Sequence, residues 1–317
     1  MKLLEIRNQY YKKKITKARF IKEIYNKYHH SLFEYSDLIN QTDVKKIEIT
    51  DSELSVISKK YGIKVFFPRY DHRSAPLECL NFGTYEKKEL QAILQIMPKY
   101  GNFLDIGANI GWHSLITAKI YNKLKVHSFE PIKKTYGFLV KNVKCNFLKN
   151  IKTYNFGFYS ENKKILFYTY PEGTGNSSIC NLSKRKNVGL QKSHVKILDD
   201  FVNDKKIKVD FIKCDVEGAE LFVFFGAKKV LLIDKPIVFC EMLRKWSKKF
   251  KYHPNEIILL FRRFGYKCFY IYNFKKSKNF KKKIKLKEIK KISNKIKETN
   301  FLFIHQVKHS KIIEKFK

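Results

Sequence analysis

The chain has 317 residues, 44% of them hydrophobic and 15% aromatic, which excludes general disorder and allows one large domain or two modest ones. Its formal net charge is +37, but only eight of the 66 basic residues are arginine, the residue that most often reads nucleic-acid bases. The charge therefore favours anionic membrane surfaces, sugar nucleotides or acidic glycans as partners over nucleic acid.

The sequence contains no apolar run of about 18 residues that would span a membrane, and its first residues do not resemble a signal peptide. We therefore expect a cytoplasmic protein, with peripheral contact at the inner membrane as an open alternative. The six cysteines form no C-x-x-C pair and lie mostly in apolar runs, so they predict buried thiols and no zinc site.

The N-terminal residues 1–40 carry a stripe of apolar and aromatic side chains between lysines, which predicts helix. A basic amphipathic helix either packs on its own domain, the interpretation we favour, or lies on a membrane surface. Residues 46–70 predict short strands, the clearest at 63–67. We treat residues 1–80 as an N-terminal extension and residues 81–317 as the main domain.

From residue 85 onwards apolar segments of strand and helix length alternate, which predicts an α/β domain with a mainly parallel sheet. The predicted helices are 85–100, 112–121, 133–148, 220–225 and 255–264. The predicted strands are 103–106, 125–129, 151–158, 165–168, 209–214, 236–240, 268–272 and 301–304.

Residues 274–299 differ from the rest of this domain because they are dense in lysine, with apolar residues at helix-like intervals. This pattern predicts a solvated insert between the last two strands. An arm that binds polyanions is the alternative, since clustered lysines attract phosphate or acidic glycan.

A glycine loop, Asp105–Gly111 with the sequence DIGANIG, joins the first parallel strand to its helix. Asn109 stands where the dinucleotide motif G-x-G-x-x-G has its middle glycine, and no Gly-Lys-Ser/Thr of a P-loop follows. Gly107 and Gly111 would let the backbone turn sharply near a ligand. The remaining pattern favours a cofactor that carries an amino acid, whose ammonium group Asp105 would hold.

Three further acidic residues end predicted strands, where ligands of open α/β sheets bind. Glu130 ends the second strand and would accept both ribose hydroxyls of an adenosine. Asp215 ends the strand 209–214, and Glu217 follows it, so both should face the same cleft as the glycine loop. Glu220 is placed to stabilise the N-terminus of its helix, and Glu241 ends the next strand.

These motifs together resemble the FkbM-type methyltransferases, over roughly residues 82–305. The matching segments are DIGANIGWHSL at 105–115, FEP at 129–131, LDDF at 198–201, FIKCDVEGAEL at 211–221, PIVFCE at 236–241, GTYE at 83–86 and NFLFIH at 300–305.

The resemblance implies a class I methyltransferase fold, a Rossmann-like seven-stranded and mostly parallel sheet whose last strand is antiparallel. It also implies S-adenosylmethionine as cofactor and O-methylation of sugars in surface polysaccharides, glycolipids or related compounds. Carried over by position, the cofactor-binding residues are Asp105, Gly107, Asn109, Gly111 and Glu130. The same correspondence places Asp215 and Glu217 at the reaction site.

The group that deprotonates the acceptor is open among Asp215, Glu217, His113 and His194. The segment 173–178 resembles a substrate-side loop of the family, and a plain hairpin turn is the alternative. No spacing compels a metal site, so none is predicted, although Asp215, Glu217 and Glu241 could form a carboxylate site.

Two other functions compete with glycan methylation. The basic charge is compatible with an RNA or DNA methyltransferase, but the Asn/Asp-Pro-Pro-Tyr/Phe run of amino-methylating base enzymes is missing. A non-catalytic membrane-surface protein of the same fold is the second alternative, and the retained glycine loop and Glu130 count against it.

Overall fold

The computed structural model describes residues 2–170, 172–173, 175, 177–182, 188–273, 284–293 and 296–317. The α-helices are α1 Leu3–Tyr11, α2 Lys17–Ile24, α3 His30–Asn40, α4 Ala75–Phe82, α5 Lys87–Ile96, α6 Trp112–Ile120, α7 Lys133–Cys145, α8 Leu198–Lys205, α9 Glu220–Phe225, α10 Lys228–Ile233, α11 Arg244–Ser247, α12 Asn255–Arg263 and α13 Ser310–Phe316. The strands are β1 Val44–Ile49, β2 Leu54–Ser58, β3 Lys64–Phe66, β4 Gly101–Ile106, β5 Leu124–Phe129, β6 Ile151–Tyr154, β7 Gly157–Phe158, β8 Lys163–Thr169, β9 Gly189–Lys196, β10 Phe211–Cys214, β11 Ile237–Glu241, β12 Tyr266–Asn273, β13 Lys285–Ile289 and β14 Asn300–His305.

The main sheet has eight strands in the order β13-β12-β14-β11-β10-β4-β5-β6. The pairs from β6 to β11 are parallel, and β14 lies antiparallel between β11 and β12. The predicted α/β fold with an antiparallel last strand is therefore confirmed. The strand number is corrected from seven to eight, because β13 pairs with β12 at the edge of the sheet.

The extra strand lies within the segment that we expected to be a solvated insert. Ile284 and Leu286 are buried, whereas Lys285 and Lys287 are exposed. This alternation has the period of a strand with one covered face, so the solvated interpretation is wrong for residues 284–289. Residues 274–283 and 294–295 of that prediction lie outside the described residues.

Each strand of the main sheet contributes to both of its faces, as the twofold alternation of a strand requires. Phe103 belongs to the apolar cluster on one face of the sheet and its neighbour Leu104 to the cluster on the other. Near-continuous apolar strands of this kind are typical of a parallel sheet covered on both sides. The core therefore fixes the strand ends rigidly at one edge, where the candidate site lies.

Two smaller sheets flank the main one. Strands β1, β2 and β3 form an antiparallel sheet, and β7, β9 and β8 form another. The predicted strand 151–158 is thus divided, because its second half pairs with β9 rather than with the main sheet. The sequence patterns did not reveal α4, β9, α8, α10 or α13.

The side chain of Asn142 on α7 joins the N-terminal sheet to the glycine loop. Its Oδ1 accepts a hydrogen bond from the Phe66 backbone N–H at 2.7 Å, and its Nδ2 donates to the carbonyls of Phe66 and Ile110 at 3.0 and 2.9 Å. Residues 2–40 contain α1, α2, a π-helical turn at Tyr25–His29 and α3, which confirms the helical prediction for them. Within the described chain, no helix has the length and apolar character needed to cross a bilayer.

Candidate active site

Strands β4, β5, β10 and β11 end at one edge of the sheet, and the loops that follow them surround a cavity of about 360 Å³. This is the edge at which open α/β sheets bind ligands. The glycine loop and Glu130 form one part of its wall, and Asp215, Glu217 and Glu241 form another. The structure thus brings Gly107, Asn109, His113, Glu130, Asp215 and Glu217 together at this cavity, whereas Asp105 and Gly111 are not among the residues that line it.

The glycine loop is held against the protein's own backbone. The N–H groups of Gly107 and Ala108 donate to the Phe129 carbonyl at 3.1 and 2.9 Å. Gly107 has φ +81°, and a Cβ atom at this position would lie 1.8 Å from the backbone oxygen of Asp215. Gly107 therefore permits the loops after β4 and β10 to touch. Glycine is needed here for this contact, in addition to letting a ligand approach the backbone.

Gly111 has a related role at the start of α6. Its φ is +97°, and an added Cβ would lie 2.7 Å from Cδ1 of Leu139. Between the two glycines, Asn109 also adopts a left-handed conformation, with φ 50°. The Oδ1 atom of Asn109 is buried and has no hydrogen-bond partner among the described residues.

Glu130 is buried beside this loop. Its Oε2 accepts from the backbone N–H of Asn109 at 3.1 Å, and its Oε1 accepts from that of Ile132 at 2.8 Å. Burial raises the pKa of Glu130 to about 7, although both hydrogen bonds oppose the shift. The carboxyl group is thus fixed in position at the cavity wall, and its oxygens retain lone pairs for hydroxyl donors.

Asp105 lies at the end of β4, and only one of its two carboxylate oxygens has a hydrogen-bond partner. Its Oδ2 accepts a hydrogen bond from the Ser114 hydroxyl at 2.6 Å. Its Oδ1 is buried and has no partner within the described part of the chain. Burial raises the pKa of Asp105, and the positive charge of Lys213 partly opposes this.

Lys213 was missed as a site residue, although it stands inside the quoted FIKCDVEGAEL segment. It is buried in β10, next to Asp105 in the sheet register, and its Nζ lies 3.1 Å from Oδ2 of Asp215. Burial alone would lower its pKa, but the carboxylates of Asp215, Asp105 and Glu86 outweigh it and raise the pKa of Lys213. The ammonium group of Lys213 therefore lies among carboxyl groups that favour its charged form.

Asp215, Glu217 and Glu241 converge at this side of the cavity, with one oxygen of each within 4.8 Å of the others. Burial and the repulsion of neighbouring carboxylates raise the pKa values of Glu217 and Glu241 well above the ordinary range. Such a cluster can bind a proton, and oxygen ligands at this spacing also suit a divalent cation.

Glu220 fixes the loop that carries this cluster. Its Oε1 accepts from the backbone N–H groups of Val216 and Gly218 at 3.3 and 2.9 Å, and its Oε2 accepts from the Tyr252 hydroxyl at 3.1 Å. Glu217 has φ 52° and Gly218 has φ 102°, so this turn needs such support. Glu220 is thus a structural residue at the start of α9.

His113 lies in the same cavity, at the start of α6, and is buried. Its Nε2 is 3.2 Å from Oε2 of Glu86, whose side chain is 30% exposed. Burial and the charge of Lys213 lower the pKa of His113 well below its ordinary value, which favours the neutral imidazole. Burial raises the pKa of Glu86 to about 7.

Glu86 was not assigned a role from the sequence. Its only signal was its place in the GTYE segment, since nothing in the spacing links it to a histidine 27 positions later. His194, which the sequence offered as a rival base, is exposed on β9 and does not line this cavity. It is therefore excluded as a base in this arrangement.

The predicted substrate-side loop does border the cavity, through Gly173, Gly175 and Ser177. The hydroxyl of Ser178 donates to the Glu217 backbone oxygen at 2.9 Å, which ties this loop to the carboxylate cluster. Thr174 and Asn176 of the same prediction lie outside the described residues.

Two curated relatives of this chain are described as methyltransferases. Methyltransferase 1 of Beauveria bassiana (strain ARSEF 2860) is 27% identical over 141 residues, covering 39% of this chain and 57% of the relative. Methyltransferase sdnD of Sordaria araneosa is 28% identical over 159 residues, covering 41% and 61%. The chain therefore spans less than two thirds of the length of these curated relatives.

Among solved structures, the chain is similar to the methyltransferase FkbM of Methylobacillus flagellatus KT, with TM-score 0.36, 16% identity and coverage of 73% of this chain and 53% of that one. It is also similar to a precorrin-6y C5,15-methyltransferase of Geobacter metallireducens GS-15, with TM-score 0.38, 11% identity and coverage of 69% and 87%. The sequence pattern of the methyltransferase FkbM domain matches residues 105–268, more than half of the chain. This protein belongs to the FkbM methyltransferase family.

Proposed function

We propose that this protein is an S-adenosylmethionine-dependent methyltransferase that O-methylates a hydroxyl group of a sugar or glycan. The observation that carries the proposal is a single cavity with two chemically different sides. The glycine loop and Glu130 form a side suited to an adenosine and an amino acid. Asp215, Glu217 and Glu241 form a side suited to a hydroxyl acceptor and its proton.

Three buried polar atoms of the glycine-loop region support the choice of cofactor, because none has a partner among the described residues. They are Oδ1 of Asp105, Oδ1 of Asn109 and Nε1 of Trp112. Buried polar groups are normally hydrogen-bonded, and Asn109 and Trp112 line the cavity, so their atoms are suited to a polar ligand there. Asp105 would accept from the ammonium group and Glu130 from the ribose hydroxyls. When bound, S-adenosylmethionine supplies a methyl group already activated by its sulfonium.

The protein's own contribution is to orient the acceptor and to receive its proton. Asp215, Glu217 and Glu241 repel one another, and a proton bound to this cluster relieves that repulsion. Lys213 balances part of the negative charge and holds Asp215 in place. We assign to the cluster the role of receiving the proton of the substrate hydroxyl group. Glu217 is the residue that binds this proton, because its Oε2 is buried and has no hydrogen-bond partner within the described chain.

His113 is the second candidate base, supported by its neutral imidazole and by the nearby Glu86 carboxyl group. The two candidate bases predict different effects of substitution on kcat. Glu217→Gln should reduce kcat by about 100-fold or more if Glu217 receives the proton, since general base catalysis contributes roughly that much. His113→Gln should then reduce kcat by less than about tenfold.

The polarity of the cavity supports a hydroxylated acceptor. Carboxylates accept hydrogen bonds from hydroxyl groups, and a sugar offers several of them close together. The cations Arg73 and Lys245 also line the cavity and suit a phosphate or an acidic sugar on the acceptor. A sugar nucleotide, a glycolipid or an acidic glycan provides both the hydroxyl groups and the negatively charged group.

The cofactor is tested first, by titrating S-adenosylmethionine into the purified protein in a calorimeter. We expect binding by the wild type and at least about tenfold weaker binding by Glu130→Ala, because two hydrogen bonds to the ribose hydroxyls would be lost. Glu161→Ala, at an exposed position, is the matched control. Absence of binding to the wild type, with circular dichroism showing a folded protein, would refute the proposed cofactor.

The acceptor is tested separately, with S-adenosylmethionine labelled in its methyl group. Sugar nucleotides, glycolipids and capsule-type polysaccharides are offered, and the labelled product is examined for a methyl ether. Label found only on amines or carboxyl groups would contradict O-methylation while leaving the cofactor assignment intact.

A further inference from the structure

The three N-terminal helices with the turns between them, residues 2–40, form a segment that we call the N-terminal arm. Ile6 is its one buried residue. The arm folds on itself through the stacked rings of Tyr10 and Phe20, whose centroids are 4.7 Å apart. Within the predicted apolar stripe, Leu4, Tyr11, Ile21 and Tyr25 are exposed, so these four side chains are not covered by the protein's own domain.

Many apolar and aromatic side chains of the arm are exposed. Leu4, Tyr11 and Phe33 are 63%, 66% and 64% exposed, and further examples are Ile21, Tyr25, Leu32, Tyr35 and Leu38. Single exposed apolar residues are normal, but a concentration within 40 residues marks an interaction surface. Tyrosines suit a surface where an apolar region meets water, since the ring is apolar and the hydroxyl polar.

The first two helices and their connections are also strongly basic. The acidic residues between positions 2 and 28 are Glu5 and Glu23, whereas the basic residues there are Lys2, Arg7, Lys12, Lys13, Lys14, Lys17, Arg19, Lys22 and Lys27. Glu23 forms ion pairs with Arg19 and Lys27. No ion pair within the described chain engages Lys12, Lys13 or Lys14, which are exposed. The partner of this surface must therefore bring negative charge.

We propose that the N-terminal arm binds the surface of an anionic lipid membrane. The lysines would contact lipid phosphates, and the exposed apolar and aromatic side chains would enter the boundary between headgroups and acyl chains. The basic residues of α1, α2 and their connections favour an anionic occupant over a second copy of the same surface, while α3, which carries Glu34 and Asp37, contributes exposed apolar side chains. A membrane also satisfies both features at once, the positive charge and the exposed apolar groups.

The test is vesicle flotation of the full-length protein, with neutral phosphatidylcholine vesicles and with vesicles that also contain phosphatidylglycerol. We expect the protein to float with the anionic vesicles and not with the neutral ones. Lys12→Glu/Lys13→Glu/Lys14→Glu should weaken binding at least about tenfold, because each basic residue near the surface contributes to the attraction. Leu4→Ser/Tyr11→Ser/Phe33→Ser should weaken it comparably without changing the net charge.

Matched variants elsewhere on the surface separate the arm from general attraction by the protein's charge. Lys152→Glu/Lys164→Glu/Lys192→Glu changes the net charge equally at exposed positions outside the arm. Phe82→Ser/Phe147→Ser/Val307→Ser removes equally exposed apolar side chains. Both control variants should keep the wild-type binding.

Four outcomes would overturn the proposal. They are no flotation with anionic vesicles, an equal loss in the control variants, full binding after the apolar arm substitutions, and a dimer in sedimentation that the arm substitutions dissociate. The same substitutions are also tested on single-stranded RNA. A loss of RNA binding without a loss of vesicle binding would assign the arm to nucleic acid instead.

Discussion

At the scale of single residues, Gly107 shows how one missing side chain determines the shape of the candidate site. An added Cβ would overlap the backbone oxygen of Asp215, and the φ of +81° is strained for any other residue. We predict that Gly107→Ala lowers the free energy of unfolding by about 3 kcal/mol or more, measured by urea denaturation. The same variant should lose S-adenosylmethionine binding, because the loops after β4 and β10 must separate.

Gly137 provides the control for this change. It lies inside α7, and an added Cβ would have no neighbour within 4 Å. Gly137→Ala should therefore stabilise the protein by about 0.5–1 kcal/mol, since alanine is the better helix former. Equal destabilisation by both variants would contradict the proposed contact between the two loops.

Glu130 leads to a prediction of pH dependence. Its pKa rises from an ordinary value of 4.5 to about 7 in the folded chain, mainly through burial. The folded chain thus keeps a proton that the unfolded chain releases above pH 4.5. The contribution of this proton to the free energy of unfolding is fully present below pH 4.5 and is lost as the pH rises through about 7.

Glu130→Gln removes this titration. The unfolding free energy of the variant minus that of the wild type should therefore increase between pH 5 and pH 8, by up to about 3 kcal/mol. Urea denaturation of the ligand-free proteins at four pH values measures this difference. Glu314→Gln, at an exposed position in α13, controls for the loss of one charge. A difference that stays constant or falls with pH would contradict the burial of an uncharged Glu130.

The sequence predicted the site residues that end strands and missed those defined only by three-dimensional contact. Asp105, Glu130 and Asp215 follow apolar runs, and the ends of parallel strands meet at one edge. Lys213 lies inside such a run, where a buried lysine is unexpected until the surrounding carboxylates are known. Glu86 is related to His113 only through the 3.2 Å approach of their side chains in the folded chain, which no spacing records.

At the scale of secondary-structure elements, the strands of the parallel sheet were predicted well because they are short, apolar and separated by helices. The strands at the edges were predicted less well. The segment 151–158 reads as one strand, yet its halves join different sheets. Strand β13 was missed because its lysines hide a twofold alternation, which the pairing with β12 reveals. Long-range pairing, rather than local propensity, decides both cases.

Strand β13 gives a prediction at this scale. Leu286 is buried whereas its neighbour Lys287 is exposed. Leu286→Ala should lower the free energy of unfolding by about 2–4 kcal/mol, the usual range for a buried leucine, and Lys287→Ala should change it by less than about 0.5 kcal/mol. Urea denaturation compares the two variants. Similar small effects would indicate a solvated segment, as the sequence had suggested.

At the scale of the whole molecule, the net charge of +37 acts independently of the fold. It makes some attraction to any polyanion unavoidable, nucleic acid included. Binding to RNA or DNA is therefore weak evidence for a nucleic-acid methyltransferase, and the salt dependence together with the chemical product must decide. The same reasoning explains why the proposed membrane contact needs control variants with an equal change of charge.

We predict that RNA binds this protein by charge alone and is not methylated. The affinity for single-stranded RNA should fall at least about tenfold between 0.05 M and 0.2 M salt, since each phosphate contact releases counterions. Duplex DNA should behave similarly. Filter binding measures the affinities, and methyl-labelled S-adenosylmethionine detects transfer in the same mixtures, with a calorimetric titration showing that the cofactor is bound. Binding that persists at high salt, or labelled nucleic acid, would contradict this prediction and favour the nucleic-acid alternative.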